Sequence, residues 1–394
     1  MREPAANAES GGGDSALARS LCVLLLALVG CRSVALGTPL FSGRTQESPP
    51  QALFDVDWRV ELVGPRFWEF FPREPARPAV DPDTGRVVVL TRDGLARSVN
   101  PDGRVEWEFK TADPFLAGAT LHEGIAYVPG GDGTLYALRV RDGSLVWKYE
   151  AAEQLATSPL VADGRVYVAS HANTLFAVDA ATGRWLWQYR RDLPTGFMVQ
   201  GAGAPTLSNG VLYAGFADGY LVALDPATGA AKWERALSSP GKEFLDVDAS
   251  PTVDGAGRLI AASYKDGLYA LEPDTGQVMW NTVVAGITST LVRGDVVFTA
   301  GAGGISALLA ENGRTVWSSP LEEPVAYAPA YVRGMLVVPV DRALLFLDPS
   351  TGRRKLRWDP GQGVSAPPAG AARRLYVLSN TGYLYALRWR GRAG

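Results

Sequence analysis

The sequence has few of the residues that build metal, redox or strongly charged sites. Its 394 residues include only two cysteines, Cys22 and Cys31, and two histidines, His122 and His171. Neither histidine has a second His or Cys at a spacing suited to a metal site. The formal net charge is −3, without a long run of either sign. A basic stripe is therefore absent, which argues against nucleic acid or an anionic membrane surface as the main partner.

Glycine, proline and tryptophan are plentiful instead. The chain contains 44 Gly, 27 Pro and 11 Trp, and 47 % of its residues are hydrophobic against 20 % charged. This composition predicts a folded core with many short turns and a recurring large aromatic residue. The length allows two or three ordinary domains or one large repeat architecture.

Residues 1–30 are predicted to be a lipoprotein signal peptide. The apolar run at residues 21–29 is too short to span a bilayer, and it ends in Leu28-Val29-Gly30-Cys31, which resembles a bacterial lipobox. Lipidation at Cys31 would also account for a cysteine that lacks a partner once the signal peptide is removed. An ordinary cleavage within residues 35–37 and a start codon further downstream remain open.

The segment that follows is predicted to be a tether. Arg32, rather than an inner-membrane retention Asp, follows the cysteine, which favours the periplasmic face of the outer membrane. Residues 31–52 combine the lipidated Cys31 with a stretch rich in Pro, Gly and Ser. A flexible chain of this length reaches about 25 Å, enough to hold a folded domain just off the membrane.

A repeat begins at residue 53, and its clearest copies lie at residues 165–189, 211–234 and 259–281. Each copy alternates apolar strands with Asp-Gly and Thr-Gly turns and ends in a tryptophan. A period near 40 residues with four short strands predicts a β-propeller, and the tryptophans are predicted to pack between blades. The tryptophans taken as equivalent are Trp58, Trp107, Trp147, Trp187, Trp233, Trp280, Trp317 and Trp358.

The turns in each repeat have two signatures. Asp132-Gly133, like its counterparts at 218–219 and 266–267, predicts a tight hairpin of type I′, because glycine accepts positive φ. Asp179-x-x-Thr182-Gly183 predicts a longer turn in which the aspartate hydrogen-bonds to its own backbone.

Counting repeats gives an all-β fold, an eight-bladed β-propeller with four antiparallel strands per blade. The last copy, residues 375–389, lacks an outer strand, whereas residues 54–62 form an outer strand without inner ones. We expect the N-terminal strand to close the eighth blade, leaving no sheet edge open. The propeller is assigned to residues 53–390 and a tail to residues 391–394.

The repeat xDGxLYALDxxTGxxxW resembles that of pyrroloquinoline-quinone propellers, which include dehydrogenases and cofactor-free scaffolds. The dehydrogenases resemble one another in a vicinal Cys-Cys disulfide, a calcium shell and a catalytic Asp. The mature chain has no cysteine pair. The sequence therefore predicts a protein that is not an enzyme, with no catalytic, cofactor-binding or metal-binding residues and no cofactor. A quinone-dependent oxidoreductase remains the alternative.

Two neighbouring interblade segments, residues 190–203 and 238–249, are longer than the others and carry a resemblance to the BamB family. Pro194 to Gly201 followed by Ala204-Pro205, and Asp246-Val247-Asp248 before Ser250-Pro251, are similar to family segments that bind BamA. Gln200 departs from the family's usual Arg, for which Arg190 or Arg191 could compensate. The candidate partner-binding residues that the resemblance implies are Phe197, Val199, Gln200, Asp246 and Asp248.

The resemblance implies a non-enzymatic scaffold lipoprotein of the β-barrel assembly machinery. It would dock a periplasmic domain of BamA, be held at the outer membrane by its lipid anchor, and assist folding and insertion of outer-membrane barrels. Direct contact with nascent β-barrel clients is left open. So is a second alternative, a lipid-anchored propeller that binds another periplasmic partner. No nucleic acid is expected.

Overall fold

The computed structural model describes residues 53–64, 70–193, 203–238, 246–247, 249–371 and 373–390. Within these ranges the chain forms 32 β-strands, arranged as eight four-stranded sheets. All strand pairs are antiparallel. Among the described residues, no helix is long and apolar enough to cross a membrane. The eight-bladed propeller is thus confirmed.

Each sheet is one blade, and its strands are named here from the innermost to the outer one. The first strands of neighbouring blades contact one another, so they surround the central axis. Blade 1 consists of β2 (Ala79–Val80), β3 (Val87–Leu90), β4 (Leu95–Val99) and β5 (Val105–Lys110). Blade 2 consists of β6 (Thr120–His122), β7 (Ile125–Pro129), β8 (Thr134–Arg139) and β9 (Leu145–Glu150). Blade 3 consists of β10 (Leu160–Ala162), β11 (Arg165–Ala169), β12 (Thr174–Asp179) and β13 (Trp185–Arg190).

The next four blades repeat this order along the chain. Blade 4 consists of β14 (Thr206–Ser208), β15 (Val211–Gly215), β16 (Tyr220–Leu224) and β17 (Ala231–Ala236). Blade 5 consists of β18 (Thr252–Val253), β19 (Leu259–Ser263), β20 (Gly267–Leu271) and β21 (Val278–Thr282). Blade 6 consists of β22 (Ile287–Arg293), β23 (Val296–Gly301), β24 (Gly304–Leu309) and β25 (Thr315–Ser319). Blade 7 consists of β26 (Ala330–Val332), β27 (Met335–Val340), β28 (Ala343–Leu347) and β29 (Arg354–Trp358).

Blade 8 joins the two ends of the propeller. Its inner strands are β30 (Ala369–Ala371), β31 (Arg374–Leu378) and β32 (Tyr383–Trp389), and its outer strand is β1 (Phe54–Glu61). The pairing runs from Phe54 opposite Trp389 to Glu61 opposite Tyr383. The prediction that the N-terminal strand closes the eighth blade is confirmed, and this closure leaves the ring without an open seam.

The core lies between the blades. The two middle strands of a blade are buried on both faces, as in β11 and β12, because a neighbouring blade covers each face. The tryptophan of each outer strand packs on the next blade: Trp187 Nε1 donates to the carbonyl oxygen of Pro226 at 3.1 Å. A Cβ on Gly229 would lie only 2.5 Å from Cε3 of that indole. The same indole-to-carbonyl bond is made by Trp58, Trp107, Trp147, Trp187, Trp233, Trp280 and Trp317.

Blade 7 differs from this pattern, so the assignment of Trp358 as an equivalent tryptophan is wrong. In blade 6 the tryptophan Trp317 pairs with Ala307, just before a register shift. The corresponding residue in blade 7 is Leu356, which pairs with Phe346, and Trp358 lies two residues further along the strand. Trp358 is buried and meets the ring of Tyr385 edge-on in blade 8 at a centroid distance of 5.2 Å. It still packs between blades, but through a different contact.

The turns also differ in type from the prediction. At Asp132-Gly133 only the glycine has positive φ, and the N–H of Gly133 donates to the carbonyl of Gly130 at 3.2 Å. A type I′ turn needs two positive φ angles, so that assignment is wrong. Type I′ geometry occurs instead between the first and second strands, for example at Asp163-Gly164, with φ of 50° and 71°. The Asp179 turn is confirmed, because its carboxylate accepts from Thr182 N at 2.9 Å.

Candidate functional site

The interblade loops emerge on one face of the propeller, called here the loop face. Each such loop runs from an outer strand to the next innermost strand and meets the second turn of its own blade. Thus Leu237 N donates to Gly219 O at 2.9 Å, and Ala151 N donates to Gly133 O at 2.8 Å. The opposite face carries the first and third turns and is called the turn face.

Two long interblade loops were expected to form the site. Loop 3–4 (residues 191–205) joins blades 3 and 4, and loop 4–5 (residues 237–251) joins blades 4 and 5. Their roots are described, and they lie side by side: the hydroxyl of Thr206 donates to the carbonyl of Pro251 at 2.5 Å. The residues that fall outside the described part of the chain, and stay predictions, are Phe197, Val199, Gln200 and Asp248. Cys31 also lies outside it.

An ion network fixes the start of loop 3–4. Arg191, directly after β13, pairs with Asp218 in the second turn of blade 4 at 2.6 Å and with Glu234 on β17 at 2.7 Å. Its guanidinium lies over the ring of Tyr220, 4.1 Å from the centroid. The Tyr189 hydroxyl accepts from Arg191 and donates to Glu234 at 2.7 Å. The loop therefore leaves blade 3 from a point that is bonded to blade 4.

The charges of this network stabilise one another. Burial alone would lower the pKa of Arg191, but its hydrogen bonds to Asp218, Tyr189 and Glu234 raise it overall. The hydrogen bond from Tyr189 lowers the pKa of Glu234. Burial, together with that same bond, raises the pKa of Tyr189 to about 12. At neutral pH, Arg191 is therefore charged and committed to the network, so it does not supply a free charge in place of the family's arginine.

Asn173 is a second anchor of loop 3–4. This buried residue lies in the second turn of blade 3 and has a φ of 63°, a conformation that asparagine tolerates better than most residues. Its amide nitrogen donates to the carbonyl of Asp192 at 3.2 Å, and its amide oxygen accepts from Ala217 N at 2.9 Å. One side chain thus joins two blades and the loop between them.

Loop 4–5 turns inward where it is described. Asp246 is fully buried, and its carbonyl accepts from Tyr264 N at 3.0 Å. Val247 is buried as well, and its N–H donates to Phe216 O at 3.2 Å. Asp246 therefore does not present its side chain on the surface here. Its role in partner binding stays a prediction, and the burial supports positioning of the loop rather than direct contact.

Arg190 differs from Arg191 in being accessible. Its side chain is 59 % exposed and lies 3.5 Å from Glu153 across the loop face of blade 3. Leu193, two residues beyond the anchored Arg191, is also exposed. The end of β13 and the described start of loop 3–4 thus offer one accessible cation and one apolar side chain to a partner.

A sequence model of the family described as "Outer membrane protein assembly factor BamB" matches residues 92–308 and 269–392. These segments cover most of the propeller. The chain belongs to the BamB family.

Named BamB proteins are similar over shorter segments. The protein from Francisella salina is 35% identical over 103 residues, which cover 26% of this chain and 20% of that protein. The Escherichia coli protein is 26% identical over 146 residues, which cover 36% of this chain and 37% of that protein. The matched segments thus span well under half the length of these relatives.

Two solved propellers show how widely the BamB fold is shared. BamB from Moraxella catarrhalis superimposes with a TM-score of 0.73 at 23% identity, covering 85% of this chain and 99% of that one. A quinohemoprotein alcohol dehydrogenase from Comamonas testosteroni superimposes with a TM-score of 0.67 at 15% identity, covering 86% and 77%. Both are similarities of fold, and fold alone does not decide function. Within the described ranges, no group of three or more His, Cys, Asp or Glu side chains could hold a metal ion.

Sequence reasoning missed a third long loop on the loop face of this BamB-family chain. Loop 8–1 (residues 62–78) is the longest of the eight interblade loops. Phe70 and Phe71 are 73% and 72% exposed there, with ring centroids 4.6 Å apart. The signal was present in the sequence, because the spacing of 49 residues from Trp58 to Trp107 is the largest between successive blades. Loop 8–1 lies across the ring from loops 3–4 and 4–5.

Proposed function

We propose that this protein is a non-enzymatic scaffold of outer-membrane β-barrel assembly. It docks a periplasmic domain of BamA through loops 3–4 and 4–5 and so assists the folding and insertion of barrel precursors. A lipid on Cys31 holds it at the periplasmic face of the outer membrane. The observation that carries the proposal is a pair of long loops, rooted side by side on one face, in a chain of the BamB family.

The geometry of the roots supports a docking role. Arg191 and Asn173 bond loop 3–4 to two blades, and the backbone of Val247 bonds loop 4–5 to blade 4. Loops that start from fixed points on a rigid scaffold hold their central residues in a limited region of space. Less conformational entropy is then lost on binding.

The non-enzymatic role is supported by how the tryptophans are used. Seven indole N–H groups donate to backbone carbonyls of the next blade, as Trp147 does to Ala180 O at 3.0 Å. Rings packed in this way stabilise the blade seams and are not available as a platform on which a quinone could stack. If purified protein supplied with quinone and calcium oxidised alcohols or sugars above a heat-killed control, this part of the proposal would be wrong.

Capture of BamA tests the docking face. We expect Phe197→Ala combined with Asp248→Arg to weaken co-purification with BamA at least thirtyfold, since a central anchor contributes about 2 kcal/mol. The variant should unfold at nearly the wild-type temperature, because the proposal requires both side chains to face the partner, and substitutions at such surface positions change stability little.

The matched control is Phe70→Ser combined with Phe71→Ser, which removes exposed aromatics from the same face on the other side of the ring. It should capture BamA as the wild type does. If the control loses BamA while the Phe197/Asp248 variant keeps it, the docking site is not at loops 3–4 and 4–5.

A further inference from the structure

The turn face contains a cavity of about 440 Å³ that is separate from loops 3–4 and 4–5. The innermost strands of blades 6, 7 and 8 line it, and Phe54 and Trp389 of blade 8 lie at its outer end. These two rings meet edge-on with centroids 4.7 Å apart. The cavity thus extends from the central axis towards the place where the N-terminal strand enters the propeller.

The cavity lining has a single sign of charge. Among the described residues that line it, five are arginines and none is an aspartate or a glutamate. Three arginines come from the equivalent first turns of successive blades, which brings side chains far apart in sequence to one opening. The five are Arg77, Arg293, Arg333, Arg373 and Arg374.

Most of this charge has no counter-charge within the described residues. Arg374 is paired, because its Nε lies 2.8 Å from Asp57, a carboxylate that it shares with Arg388. Arg77, Arg293 and Arg373 form no ion pair with any described residue, although Arg293 lies over the ring of Tyr331 at 5.3 Å. Like charges repel one another, so Arg77, Arg293 and Arg373, grouped around one concave space, attract an anion.

Arg77 adds to this field from blade 1, the neighbour of blade 8 in the ring. It precedes β2 of blade 1, and its backbone packs against Gly118 of blade 2, yet it lines the cavity with blades 6 to 8. Desolvation by the surrounding blades lowers the pKa of its guanidinium. A bound anion would stabilise the charged form in that environment.

We propose that this cavity binds a phosphate group. The guanidinium fork matches phosphate oxygens with paired, charge-assisted hydrogen bonds, which explains why arginine rather than lysine recurs here. Two sources of phosphate fit the same chemistry. One is the headgroup of an anionic phospholipid, since the predicted tether at residues 31–52 leads directly into the strand that begins at Phe54. The other is a soluble phosphate compound.

Titration calorimetry of the intact purified protein at low ionic strength tests the proposal. One arm uses inorganic pyrophosphate, and the other uses dihexanoyl phosphatidylglycerol below its micelle concentration. The test variant is Arg293→Gln combined with Arg373→Gln, whose side chains are exposed and carry no ion pair among described residues. The control is Arg141→Gln, a surface arginine outside the cavity. Thermal unfolding of both variants checks that the propeller is intact.

We expect the test variant to bind at least tenfold more weakly, equivalent to about 1.4 kcal/mol, and the control to bind as the wild type does. Binding of both probes supports a general phosphate site. Binding of the lipid alone identifies the membrane as the source, and binding of pyrophosphate alone identifies a soluble ligand. If neither probe binds the wild type, or if the folded test variant binds as tightly, the proposal is wrong.

Discussion

Arg191 and Asp218 form an ion pair across the seam between blades 3 and 4, with 2.6 Å between Nε and Oδ2. Both side chains are mostly buried, at 16% and 17% exposure. The pair lies where loop 3–4 leaves its blade, so it connects the stability of the propeller with the geometry of the proposed docking face. The contribution of this ion pair to the free energy of unfolding can be measured without a binding partner such as BamA.

Arg191→Gln should lower the free energy of unfolding by about 2 kcal/mol. This value lies between the effect of exposed pairs and that of breaking fully buried ones. Urea unfolding of Arg191→Gln, Asp218→Asn and the double variant would give the coupling energy of the two residues. Arg141→Gln, whose pair with Asp142 is exposed, should leave the unfolding free energy unchanged. Strict additivity of the two single substitutions would show that the pair contributes nothing.

The contact of Gly229 with Trp187 predicts a second stability effect. Gly229 and Gly210 have nearly the same φ, 73° and 70°. A Cβ added at Gly229 would contact the indole of Trp187, whereas a Cβ added at Gly210 would have no neighbour within 4 Å. Gly210→Ala should cost about 1 kcal/mol for the backbone conformation alone. Gly229→Ala should cost about 2 kcal/mol more, because its Cβ would meet the indole. Equal losses of unfolding free energy in the two variants would contradict the close packing at this seam.

The repeat could be predicted from sequence because its features are local. The number of blades could be predicted from the tryptophan spacing and the Thr-Gly turns. The closure of blade 8 by the N-terminal strand could be predicted from the incomplete repeat copies at the two ends of the propeller. Trp358 shows where this reasoning fails. A tryptophan two residues out of position looks equivalent by spacing, and only the pairing of Phe346 with Leu356 reveals the shift.

The sites were harder to predict because they are assembled from distant residues. The network at Arg191 includes Asp218, Glu234 and Tyr220 from the next blade, and no local pattern links them. The cavity arginines are spread over four blades. Asp246 carried a family motif, yet its burial depends on how the whole loop packs. Such contacts depend on the tertiary structure, which the repeat period and the spacing of residues along the chain do not reveal.

Glu74 makes stability depend on pH. This fully buried residue of loop 8–1 accepts from Arg92 N at 2.9 Å, while its own N–H donates to Asn380 at 3.2 Å. Burial, opposed by Arg92, raises the pKa of Glu74 from 4.5 to about 7. The folded state therefore holds the proton more tightly than the unfolded state does. The stability from this group is complete below pH 4.5 and is lost as pH rises through 7.

Comparison with Glu74→Gln isolates this effect, because glutamine does not titrate. From pH 5 to pH 8, the unfolding free energy of the wild type should fall by about 2.5 kcal/mol relative to the variant. Urea unfolding at both pH values measures the difference. A wild type that gains stability relative to the variant over this range would mean that Glu74 is ionised throughout and stabilised by Arg92.

The predicted lipid on Cys31 should be the attachment that keeps the protein at the membrane in high salt. Two or more acyl chains on one cysteine provide stable anchoring, whereas the net charge of −3 gives little attraction to an anionic surface. Cys31→Ala should therefore be found in the soluble periplasmic fraction or accumulate as the unprocessed precursor. Cys22→Ala is the matched control, since Cys22 lies within the predicted signal peptide, and it should stay with the outer membrane. If Cys31→Ala sediments with outer membranes in high salt and without BamA, another part of the chain holds the protein there.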